Sequence, residues 1–146
     1  MESMGNSTKL WPFLTLGLFL ALLAACGSPA AEKVVKVEGG SYRDIPVERL
    51  AEMLNNKDFL FINVHIPYEG EIANTDLFIP FNEIEKHLDQ LPPDRGAKVV
   101  LYCRSGNMSA TAARTLVKLG YTNVWNLDGG FVDWKAKGHP LLFEGR

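Results

Sequence analysis

The chain has 146 residues, 47% of them hydrophobic and 22% charged, enough for one domain around one core. Its formal net charge is −2 and no block of basic residues occurs, so nucleic-acid binding has no electrostatic footing. It carries two cysteines, Cys26 and Cys103, and no Cys-x-x-Cys pair, which argues against a thioredoxin-like dithiol mechanism.

Residues 10–25 form a nearly continuous apolar run, interrupted by Pro12, Thr15 and Gly17. A membrane span needs about 20 such residues, so this run is short for a span and suits the core of a signal peptide. It ends in Leu23-Ala24-Ala25-Cys26, which resembles the lipobox of bacterial lipoproteins, where cleavage exposes a cysteine that carries lipid. The resemblance implies a signal peptide over residues 1–25, cut before Cys26. It also implies an extracytoplasmic protein, periplasmic or at the cell surface, held to a bacterial membrane by lipid on Cys26. Lys9 is the one basic residue ahead of the run and Glu2 opposes it, so Met4 is a candidate start. An uncleaved anchor helix and a signal peptide cut elsewhere are the alternatives. Removing residues 1–25 takes out one acid and one base and leaves the net charge at −2. Residues 26–41 then read as a small-residue tether with a first short strand, and residues 42–146 as the folded domain. With Cys26 acylated, Cys103 has no intramolecular disulfide partner, and a free thiol in that compartment points to function.

Strands and helices alternate along the domain. Residues 34–37 and 42–45 are short strand candidates. Residues 46–54 read as a helix, with Pro46 near its start and Val47, Leu50 and Leu54 recurring on one face. The unbroken apolar run 59–64 predicts a buried strand, and 77–80 another short one. A helix is expected to open at Asn82, with Asn82 as N-cap and Glu85 at N3, and to stop at Leu91-Pro92-Pro93. Residues 98–102 form the central strand, 110–119 a helix closed by Gly120, and 123–127 the last strand. This order predicts an α/β domain, a parallel sheet flanked by helices on both faces, with its ligand site at the carboxyl ends of the strands.

Cys103 stands at such a carboxyl end. The loop Arg104-Ser105-Gly106-Asn107-Met108-Ser109 is polar and small, which is wrong for core packing. It is expected to wrap back over the cysteine, so that backbone N–H groups and the helix N-terminus converge on the sulfur and favour negative charge there. Gly106 lets the backbone turn, and Ser105 and Ser109 add hydroxyl donors.

Cys103-Arg104-Ser105-Gly106-Asn107-Met108-Ser109 resembles the active-site loop of the rhodanese family of sulfurtransferases, close to C-R-x-G-x-R-[ST]. Residues 120–134, with Leu127-Asp128-Gly129-Gly130 and Trp134 followed by Gly138 and Pro140, are similar to that family's closing segment. Asn63-Val64-His65 sits where these domains carry Asp-Val-Arg, and Glu69 matches the family's structural acid. The similarity covers most of residues 42–142. It implies a rhodanese-like fold and transfer of sulfane sulfur from thiosulfate, a persulfide or a polysulfide to a thiol or cyanide-like acceptor, through a Cys103 persulfide and without a cofactor. A thiol protein partner is a further candidate acceptor. Arg104 is either a binder of the anionic donor or a solvated loop charge.

Three departures carry expectations of their own. Met108 stands where many thiosulfate-using members have Arg or Lys, and a thioether cannot pair with a sulfonate. His65 replaces the usual partner of Glu69, so it either pairs with Glu69 or faces the site. Ser109 occupies the position where related cysteine phosphatases and arsenate reductases, with their longer C-x5-R loop, carry an oxyanion-clamping arginine, and phosphoryl transfer loses its clamp. His65, His87 and His139 are scattered and predict no metal site. Tyr102, Trp134 and the aromatic residues of 125–134 read as core. The alternative to an enzyme is a non-catalytic rhodanese-like binding module.

Overall fold

The computed structural model describes Met1 and residues 31–143. Cys26 and the apolar run of residues 10–25 lie outside the described residues, as does the signal-peptide assignment. No helix among the described residues is long and apolar enough to cross a membrane.

The sheet grows outward from one buried strand. β5 (Val99–Tyr102) is Val-Val-Leu-Tyr, fully buried, because helices cover both of its faces. It pairs in parallel with β3 (Leu60–Asn63) on one side and β6 (Val124–Leu127) on the other. β4 (Leu77–Phe78) adds in parallel beyond β3, and β2 (Gly40–Ile45) beyond β6. β1 (Lys33–Val37) joins β2 as an antiparallel edge, giving a six-stranded sheet in the order β1-β2-β6-β5-β3-β4. The α/β architecture expected from the alternation is therefore present, with one antiparallel strand at its edge.

Side chains alternate across β5 and divide the core in two. Val99 and Leu101 pack with Ala112, Ala113 and Leu116 of α2 (Asn107–Lys118) and with Ile84 of a 3₁₀ helix (Ile84–Gln90). Val100 and Tyr102 pack with Val47 and Leu50 of α1 (Val47–Asn55) and with Phe131 and Trp134 of α3 (Gly130–Ala136). The same alternation assigns the next residue, Cys103, to the α2 side.

Two local expectations are corrected, and one helix is added. The segment after Asn82 is a 3₁₀ helix broken at His87, its N-cap position is Glu83, and Asn82 makes no capping bond. α2 opens at Asn107 rather than Ala110, so Asn107, Met108 and Ser109 form its first turn. The segment 130–136 is a helix in its own right, although its aromatic residues are buried as expected. At its other end α2 closes as read. The Gly120 and Tyr121 N–H groups return to the Val117 and Leu116 carbonyls at 3.0 Å each, the paired bonds of a glycine-terminated helix.

Tyr102 adds a polar tie to this apolar core. Its hydroxyl accepts the Ile72 N–H at 2.9 Å and lies 2.7 Å from the Thr75 hydroxyl, tying the 71–76 loop to the sheet. Burial holds its ionisation far above the ordinary tyrosine range, so the phenol stays neutral. Tyr102→Phe leaves the buried Ile72 N–H without its acceptor, and an unsatisfied buried donor costs about 1–3 kcal/mol. Urea unfolding of that variant is expected to lose this much stability with an unchanged m-value, and an unshifted midpoint would refute the role.

Candidate active site

The loop after β5 is gripped between two helix N-termini. On one side α2 is capped at its N-terminus by Gly106, whose φ of 94° only glycine adopts comfortably. Its N–H donates to Cys103 Sγ at 3.1 Å, and the Ser109 hydroxyl lies 3.3 Å from the same sulfur. That hydroxyl is also 3.1 Å from the Gly106 carbonyl, so its single proton serves either the oxygen or the sulfur. When the sulfur is a thiol, its S–H can donate to Ser109 Oγ. When it is a thiolate, the hydroxyl can turn and donate back. Cys103 is 1% exposed, so these donors act where little water competes.

On the other side the first turn of α3 binds the loop's backbone. The Phe131 N–H donates to the Cys103 carbonyl and the Val132 N–H to the Arg104 carbonyl, both at 3.0 Å. These amides have no partner inside their own helix, and the loop carbonyls supply one. In a trans peptide C=O and N–H point opposite ways, so the Arg104 and Ser105 N–H groups face away from α3. The approach is close enough to require glycine. A Cβ on Gly130 would fall 2.3 Å from the Cys103 carbonyl oxygen, on a backbone with φ of 58°.

The predicted loop residues divide by position. Gly106 and Ser109 touch the sulfur, and Ser109 is fully buried. Met108 is partly buried and packs on the α2-side core. Arg104, Ser105 and Asn107 are exposed.

His65 and Glu69 are brought together, with His65 Nε2 at 2.5 Å from Glu69 Oε2. The His65 ring is buried and lies edge-on to Phe131, 5.4 Å between centroids. His65 therefore braces the residue whose N–H holds the Cys103 carbonyl. Asn63, fully buried, accepts the His65 N–H at 3.1 Å through its side-chain oxygen and donates to the Gly70 carbonyl at 3.1 Å. An aspartate could make only the first of these bonds, so the amide suits this site. His87 and His139 lie elsewhere, beside Gln90 and stacked on Trp134 respectively.

The family model for the rhodanese-like domain matches residues 47–137. The chain belongs to that family. Over 103 residues this rhodanese-like domain is 35% identical to a protein of Allochromatium vinosum named sulfurtransferase, covering 68% of this chain and 94% of that one. It is 29% identical over 104 residues to the tRNA uridine(34) hydroxylase of Erwinia tasmaniensis, covering 64% of this chain but 30% of the hydroxylase. Among solved structures it is similar to a rhodanese-related protein of Thermoplasma volcanium, with a TM-score of 0.59 and 32% identity over 69% of this chain and 98% of that one.

The α3 contacts to the loop went unread in the sequence, although Gly129-Gly130 was their visible mark. Gly130→Ala adds a Cβ against backbone and a residue type that resists left-handed φ, together roughly 2–5 kcal/mol. The expected result is a lower unfolding midpoint and a changed rate of Cys103 alkylation by iodoacetamide. A wild-type midpoint together with a wild-type alkylation rate would contradict this account of the loop.

Proposed function

We propose that this rhodanese-like domain is a sulfurtransferase that works through a Cys103 persulfide. The observation that carries the reading is the pair of donors, Gly106 N–H and Ser109 O–H, on a buried sulfur at the carboxyl end of the central strand. The Cys103 thiolate attacks the outer sulfur of the donor. The donor's S–S bond breaks, a new one forms to Cys103, and the remainder leaves as sulfite or a thiolate. A thiol acceptor then attacks the outer sulfur of the persulfide and restores the Cys103 thiolate. No external oxidant or reductant is consumed. The loop donors stabilise the negative charge that appears on sulfur in both steps, as an oxyanion hole does on oxygen.

The preferred donor is less charged or more apolar than thiosulfate, an organic persulfide or a polysulfide, because Met108 offers no cation where an arginine would bind a sulfonate. Intact-mass spectrometry of the full chain, after incubation with thiosulfate or polysulfide, is expected to show one added sulfur that cyanide discharges and that Cys103→Ser abolishes. Polysulfide is expected to load at lower concentration. Met108→Arg is expected to lower the thiosulfate KM about tenfold, a change of about 1.4 kcal/mol in binding. No adduct from either donor on a folded protein with a free thiol would leave the non-catalytic binding module as the reading.

On this reading the domain works outside the cytoplasm, tethered by lipid on Cys26, and the support for that placement is the sequence of residues 10–26 alone. Cells fed a clickable fatty acid should label the wild-type chain and not Cys26→Ser. Equal labelling of both chains sinks the tether.

A further inference from the structure

Beside the cysteine loop lies an open cleft of about 510 Å³ whose lining includes Tyr68, Arg104, Phe131, Lys135, Leu141 and Phe143. Besides the cysteine loop, which brings Arg104, three separate parts of the chain build it. The loop after β3 brings Tyr68, set edge-on to Phe78 at 5.5 Å between centroids. α3 brings Phe131 and Lys135, and the C-terminal tail brings Leu141 and Phe143. The tail is registered there by reciprocal bonds between Glu71 and Leu142, 2.8 Å in each direction.

The volume sits within the range of roughly 300–1,000 Å³ typical of sites for organic molecules, and a small inorganic anion such as thiosulfate would leave most of it empty. The walls are largely aromatic and aliphatic. Phe143 is 73% exposed and Val132 45% exposed, and both line the cleft. Two cations face this apolar wall. Arg104 and Lys135 are exposed, and neither forms an ion pair among the described residues, whereas the Glu69 carboxylate is held by His65. Arg104 ties cleft to chemistry, because it follows Cys103 directly and its carbonyl is anchored by α3.

We infer that the cleft seats the carrier portion of the sulfur substrate, an organic thiol or persulfide with an aromatic or apolar body and a carboxylate that pairs with Lys135 and Arg104. The inference rests on the sulfurtransferase reading and names its substrate class. In the forward step the Cys103 thiolate takes the outer sulfur of the carrier persulfide, the carrier S–S bond breaks, and the carrier thiolate remains in the cleft until it dissociates.

An unreactive probe tests the cleft apart from the chemistry. para-(Methylthio)benzoate, which has the aromatic body, the sulfur and the carboxylate, is titrated into the isotopically labelled full chain in detergent micelles and followed by backbone amide shifts. Saturable shifts at Phe131, Val132 and Phe143 are expected. The Kd should rise at least tenfold for Lys135→Glu, for Phe143→Ala, and for methylthiobenzene, which lacks the carboxylate. No saturable shift at these amides, or a Kd indifferent to all three changes, overturns the inference. The Cys103 mass measurement separates the two readings. A persulfide without probe binding fails the cleft alone, and probe binding without a persulfide fails sulfur transfer while the cleft stands as an aromatic-carboxylate site.

Discussion

The bonds from α3 to the carbonyls of Cys103 and Arg104 are the constraint on which the site depends. They fix two peptide planes, and with them the direction of the next two N–H groups. From the other side Gly106, at the start of α2, turns its N–H to the sulfur. The cysteine is thus held by helices that belong to opposite faces of the sheet. Neither helix makes the site alone. α2 supplies donors to sulfur, and α3 supplies the orientation that keeps the loop from collapsing onto them.

This division explains what was legible in the sequence and what was not. β5, Cys103 and the closing of α2 at Gly120 rest on local patterns, an apolar run and a terminal glycine, and local patterns read well. α3 has seven residues and no side-chain cap, and its first amides are satisfied by carbonyls more than twenty positions upstream in the chain. No window of sequence holds both partners. The start of α2 fails in the opposite direction, because Asn107 and Ser109 have modest helix propensity and read as loop. Tertiary contacts override the propensity, with Ser109 buried against the sulfur and the Gly106 carbonyl. Asn82 carries the residue types of a capped helix, yet the segment is 3₁₀ with a break at His87, and Ile84 is its buried anchor in the core.

The changes at Asn63 and His65 form a coupled pair rather than two losses. Asn63 spans from the His65 N–H to the Gly70 carbonyl, so one neutral amide closes the loop that an ionised side chain would have to close while desolvated. The loop so closed presents Glu69 to His65 and Tyr68 to the cleft, and its next residue, Glu71, pairs with Leu142 of the tail. Sequence comparison alone registers a missing Asp-Val-Arg. The structure registers an alternative brace that reaches from the end of β3 through Phe131 to the cysteine loop.

A cradle made of N–H and O–H donors works only at contact, because neutral dipoles fall off faster with distance than a full charge does. An arginine at position 108 would draw an anion in from roughly a Debye length, about 8 Å at physiological salt. With Met108 in its place, the loop can stabilise charge once sulfur is present but contributes little to choosing what arrives. Selection then falls to the aromatic cleft beside the loop, where Arg104 and Lys135 stand without an ion pair among the described residues. Separating stabilisation from selection in this way predicts a domain whose rate constant tracks the loop and whose substrate preference tracks the cleft.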